Sequence, residues 1–164
     1  MKTYITFLTF ILCGSISCFS QTRSMSDNSV RDTVAFMRSF ETSKAAYVGK
    51  KISKVFDQFQ QYKVPVRFLE AGGTSPWIDP EGRVYIDRIV ISYIASSDMG
   101  ERNKTSGTDL LYLEVEKPYM SSDEFDLLYF RDPYMSDEAR AELMKSQNLF
   151  VIKDVTFYHT RDPQ

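Results

Sequence analysis

The hydrophobic pattern of the chain passes through three regimes. From Tyr4 to Leu12 it is nearly continuous, with Ile5, Phe7, Leu8, Phe10 and Ile11, and small residues follow at Gly14, Ser15 and Ser17. A lysine start, a short apolar stretch and a small-residue zone are the layout of a cleavable secretory signal. The stretch falls short of the about 20 apolar residues that cross a bilayer, and no second one follows, so no transmembrane span is expected. Cleavage after Ser20 suits the small side chains of Ser20 and Cys18 and leaves Gln21 as the mature N-terminus. A lipid anchor at Cys18 is the competing reading, although Ser15 stands where a lipobox carries leucine.

The second regime has helical spacing. Val30, Val34 and Met37 predict a first helix near 29–40, with Asp27 or Asn28 as N-cap. Ile52, Val55, Phe56 and Phe59 share one face of a second helix, while Lys50, Lys51, Lys54 and Asp57 fall elsewhere. Gly49 separates the two, since glycine inside a helix costs about 1 kcal/mol relative to alanine.

From Val64 onward the period is two. Val64, Val66 and Phe68 alternate with Pro65, Arg67 and Leu69, and Pro65 places this strand at an edge or start. Val84, Ile86, Ile89, Ile91 and Tyr93 predict one long second strand with an irregularity at Asp87 and Arg88. Leu111, Leu113 and Val115 mark a third strand, and Val155, Phe157 and His159 a last one. Between them lies an internal echo, Pro118-Tyr119-Met120-Ser121-Ser122-Asp123-Glu124 against Pro133-Tyr134-Met135-Ser136-Asp137-Glu138. Each copy reads as a helix entry with serine as N-cap and acids in the first turn, and Ser121 with Glu124 spells a capping box. The expected fold is α+β: a mostly antiparallel sheet of about four strands, N-terminal helices on one face, and two short helices before the last strand. The expected organisation is a signal peptide over 1–20, a flexible leader over 21–28 and a single domain over 29–164.

Composition narrows the chemistry. Both cysteines, Cys13 and Cys18, lie in the signal, so a chain cut after Ser20 has no thiol for a disulfide, a nucleophile or a metal. With one histidine, a zinc site would need mostly carboxylates, so no metal or cofactor is expected. Removing Lys2 with the signal leaves 19 basic against 22 acidic side chains, a formal charge of −3. Residues 21–62 carry +3 and residues 63–164 carry −6, without the overall basic stripe that nucleic-acid binding requires.

Four groups of residues remain as candidates. His159 is the only histidine, but no Gly-x-Ser-x-Gly elbow accompanies it. Glu114 and Glu116 share a strand face roughly 7 Å apart by strand rise, a pair that glycoside hydrolysis can use as acid and base. The opposite face is apolar, which makes a solvated role the expected one for both. Trp77, the only tryptophan, sits in a long loop from Ala71 to Gly82 that ends in the turn signal Asp79-Pro80-Glu81-Gly82. Trp77, Tyr119 and Tyr134 form the expected binding patch. Asn103-Lys104-Thr105 fits the N-glycosylation pattern. The leading expectation is an exported, non-catalytic binding or inhibitory module, periplasmic or at the cell surface, whose partner is another protein or a glycan; protection against a toxin is one example. The alternatives are a small carboxylate-based hydrolase acting on cell-wall or glycan substrates through Glu114 and Glu116, and a carrier of an apolar small molecule.

Overall fold

The computed structural model describes residues 30–73, 79–97, 108–117 and 119–159. The signal peptide, the leader, Trp77 and Asn103 lie outside the described residues.

The chain folds as an α+β domain. Helix α1 (Val30–Thr42) and helix α2 (Ser53–Gln61) come first, joined through a short 3-10 turn at Lys44–Ala46. Strands β1 (Phe68–Gly72), β2 (Tyr85–Ile86), β3 (Arg88–Ser92), β4 (Asp109–Val115) and β5 (Met120–Ser121) follow. Helix α3 (Ser122–Phe125) runs into a π-type turn at Asp126–Phe130, and helix α4 (Asp137–Gln147) leads to strand β6 (Ile152–His159). Strands β1, β3, β4 and β6 make an antiparallel sheet in that order, while β2 and β5 pair in a small annex. Among the described residues no helix is long and apolar enough to cross a membrane.

The core follows from the two periodicities. The predicted face of α2 is buried, with Val55, Phe56 and Phe59 inside together with Ile52 just before the helix. It meets Phe36, Met37 and Phe40 of α1 and the inward set Ile89, Ile91, Leu111, Leu113, Val155 and Phe157 of the sheet. Gly49, within the connection between the helices, has φ 73°, a left-handed conformation that glycine adopts without strain. Its N–H donates to the carbonyl of Ile152 at 2.8 Å, which ties the helix pair to the start of the last strand.

Two strands differ from the sequence-based expectation. Val64 to Arg67 form an extended approach rather than strand, and burial passes from Val66 to Leu69 once pairing begins at Phe68. The long second strand is two strands in two sheets. At Asp87 the backbone N–H bonds Gly72 and the carbonyl accepts from Val115, so the chain crosses from the annex into the main sheet there. Val84 is consequently exposed rather than inward. Gly73 sits against this junction: a Cβ built on it would lie 2.1 Å from the Tyr85 carbonyl oxygen, so only glycine fits.

Candidate functional site

Among the described residues, the exposed apolar side chains Leu127, Leu128 and Tyr134 lie in the segment from β5 to α4, and Leu149 follows just after it. Ser121 caps α3 by accepting from the Glu124 N–H at 3.3 Å, and the Glu124 carboxylate accepts in return from the Ser121 N–H at 3.1 Å. This is the capping box expected from the sequence. The bond from the Ser121 backbone, then that from its hydroxyl, holds the Glu124 carboxyl below the ordinary carboxylate value of 4.5. A carboxyl depressed in the folded state stabilises it above the unfolded value, and the contribution is lost as pH falls through the folded value. Ser121→Ala removes the cap and the hydroxyl bond while the backbone bond to Glu124 remains, so it is expected to destabilise the domain at pH 7 and to lessen, without abolishing, the loss of stability as pH falls through the folded value of Glu124. Urea titrations at a series of pH values check both effects.

After Phe125 the helix does not continue at 3.6 residues per turn. The π-type turn at Asp126–Phe130 inserts an extra residue, the kind of irregularity that recurs at functional sites. Phe125 and Tyr129 point into the core, their ring centroids 4.8 Å apart, while Leu127 and Leu128 are turned outward. Leu127 is 63 % exposed, large for an aliphatic side chain with nothing polar to contribute.

Arg140 fixes the link from the π turn to α4. It is buried, and its Nε donates to the Tyr129 carbonyl at 3.2 Å while another guanidinium nitrogen donates to the Asp132 carbonyl at 3.4 Å. A third nitrogen bonds the Asp137 carboxylate at 2.7 Å, and the guanidinium lies 4.4 Å from the Phe130 ring centroid. One side chain thus satisfies carbonyls left over at the end of the π turn and clamps it to the first turn of α4. Between them, the Asp132 carboxylate accepts from the Tyr134 N–H at 2.9 Å, an Asx turn that sets the Tyr134 backbone. Tyr134 itself is 94 % exposed.

The outcome is a ridge between two grooves. One groove, about 630 Å³, is lined by Tyr134, Met135, Leu143 and Gln147 beside the ridge. The other, about 460 Å³, is lined by Tyr119, Met120, Leu149 and Phe150. Leu127 and Leu128 belong to both. The two copies of the Pro-Tyr-Met-Ser echo therefore do more than cap helices, because each contributes its Tyr-Met pair to one groove. Tyr119 and Tyr134 lie on opposite sides of a leucine ridge that the hydrophobic periodicity did not single out. The signal for it was present: Leu127-Leu128-Tyr129-Phe130 is a run of four apolar residues among acids, where a short surface helix allows only one inward face.

The other candidates are placed elsewhere. Glu114 is exposed on the sheet face opposite the core and is paired with Lys153 at 3.1 Å. Glu116 is exposed past the end of β4, where its N–H donates to the Val151 carbonyl at 2.8 Å. His159 faces Asp109 across the β4–β6 ladder, with its Nδ1 2.5 Å from the Asp109 carboxylate. The Tyr93 hydroxyl donates to the other carboxylate oxygen, and the Ser92 hydroxyl donates to the Asp109 carbonyl at 2.7 Å. Asp109 is thereby a buried knot between three strand ends, and the hydroxyl it holds is bonded to the carboxylate rather than to the imidazole. Sequence reasoning missed it because its members are contributed by three different strands. Among the described residues no group of three or more His, Cys, Asp or Glu side chains is arranged to hold a metal ion. Compared with known proteins, the chain matches no family model, no curated protein and no solved structure.

Proposed function

We propose that the chain is an exported binding module that engages another protein through the Leu127–Leu128 ridge and its two flanking grooves. The observation that carries this reading is the ridge itself, two leucines held outward by a π turn that the Arg140 clamp keeps in place. Isolated exposed apolar side chains are ordinary, but a contiguous set of leucines, tyrosines and methionines around two concavities marks an interaction surface. Methionine and tyrosine suit such a surface, the first by adapting its shape and the second by offering large area at low entropic cost. Glu114 is engaged by Lys153, so the carboxylate-hydrolase reading gains no support from its surroundings.

The test is recovery of a partner by the mature chain from the organism's own envelope fraction after chemical cross-linking. Leu127→Asp, placed on a side chain with little to lose by exposure, is expected to abolish recovery while leaving the circular dichroism spectrum unchanged. Equal recovery by wild type and variant would refute the ridge as the site. The mass of the exported form, expected to start at Gln21, checks the export half of the proposal.

A further inference from the structure

Two features of the ridge bear on what lies against it, and this inference rests on the reading of the ridge as a docking surface. The first is charge. From Tyr119 to Leu149 the exposed acids are Asp123, Glu124, Asp126, Asp132, Glu138 and Glu142. Against them stand the exposed Arg131, Lys117 over the Tyr119 ring at 5.8 Å, Lys51 with its Nζ 3.5 Å from the Leu149 carbonyl, and Arg83, which is paired with Asp79 and Glu81. Arg140 is buried against Asp137, and Lys145 is held by Asp57 at 2.9 Å and by Gln60 at 2.6 Å, so neither neutralises the rim. The second feature is unmet hydrogen bonding. The Gln147 Oε1 is a buried acceptor without a donor, and Gln147 lines the Tyr134 groove. Buried polar groups are normally satisfied, so this one leaves the groove wall short of a donor.

We infer that the occupant is a basic amphipathic peptide segment of a partner protein, with one apolar side chain seated in each groove astride Leu127 and Leu128. Its lysines or arginines lie against the acidic rim. A donor of the same segment meets the Gln147 Oε1. The echo explains the bipartite form: each Tyr-Met pair walls one apolar pocket, and the ridge keeps the two anchors apart. Apolar anchors supply affinity at the centre, and the charges at the edge supply orientation and rate.

The probe is a short fluorescein-labelled peptide repeating Leu-Lys-Lys-Leu, compared with Leu-Glu-Glu-Leu and Ser-Lys-Lys-Ser counterparts, titrated by anisotropy against the mature protein. The Leu-Lys peptide is expected to bind, the Leu-Glu peptide about tenfold or more weaker, and the Ser-Lys peptide not measurably. Binding should weaken several-fold on raising the salt from about 0.05 to about 0.5 M. Leu127→Ser and Tyr134→Ser should each cost about tenfold with unfolding midpoints unchanged, and Gln147→Met several-fold. No binding by the Leu-Lys peptide overturns the inference, as does binding that the Leu127→Ser and Tyr134→Ser variants leave intact. Equal binding of the Leu-Lys and Leu-Glu peptides, both lost in Leu127→Ser, overturns the basic occupant and leaves the ridge standing as a docking surface. The ridge reading fails separately, through undiminished recovery of the cross-linked partner by Leu127→Asp.

Discussion

Replacing Phe40 with alanine is expected to lower the free energy of unfolding by about 3–5 kcal/mol. Phe40 is fully buried at the centre of an aromatic cluster, edge-on to Phe36 at 5.0 Å, stacked on Phe59 at 5.5 Å and 5.1 Å from Tyr47. Rings held on three sides cannot collapse into the space of a lost neighbour, so the transfer and cavity terms add. Domains of this size are stable by only about 5–15 kcal/mol, which makes this one substitution a large part of the total. Urea unfolding monitored by circular dichroism measures the loss. Leu149→Ala, at an exposed site, should change it by no more than about 0.5 kcal/mol. A Phe40→Ala loss under about 1 kcal/mol would mean that the two helices are not knitted together at that point.

Arg140→Ala is expected to cost about 2–4 kcal/mol, the second largest effect. The Arg140 and Asp137 side chains are 11 % and 20 % exposed, so removing the guanidinium strands a largely shielded carboxylate. It also leaves the Tyr129 and Asp132 carbonyls without their donor and strips a cation from the Phe130 ring. Lysine can replace the charge but not the fork that reaches three acceptors at once, so Arg140→Lys should recover less than half of the loss. Because the clamp holds the π turn to α4, Arg140→Ala should also raise amide hydrogen exchange at Leu127–Phe130 more than in β4. Uniform acceleration throughout the domain would make Arg140 a general stabiliser with no special hold on the ridge.

What was legible in the sequence was whatever local periodicity determines. The α2 face, β4 and β6 were readable because Ile52, Val55, Phe56 and Phe59 recur at helical spacing and Leu111, Leu113, Val115, Val155 and Phe157 alternate. The Ser121 cap was readable because both halves of its box lie three residues apart. The break at Asp87 was not, since it exists through backbone bonds to Gly72 and Val115 that no local spacing encodes. The π turn escaped for the converse reason: Asp126 to Phe130 is good helix-forming sequence, and the extra residue is dictated by packing Tyr129 inward and by the Arg140 clamp. Tyr119 and Tyr134 were found as aromatics beside helix caps, whereas the leucine ridge between them needed the tertiary geometry that turned it outward.

The last strand carries a consequence for the order in which the molecule assembles. β6 is the only described strand bonded to the segment between the helices, through the Gly49 N–H on the Ile152 carbonyl and the Ile152 N–H on the Lys50 carbonyl. Lys44 also reaches Asp154 across a separation of 110 residues. Without β6 the helix pair keeps its packing on β3 and β4, but the segment between the helices loses its backbone bonds to the sheet, and the sheet lacks one edge. Contacts this distant in sequence form late and slowly. Closing the sheet with β6 is therefore expected to be the slow step of folding.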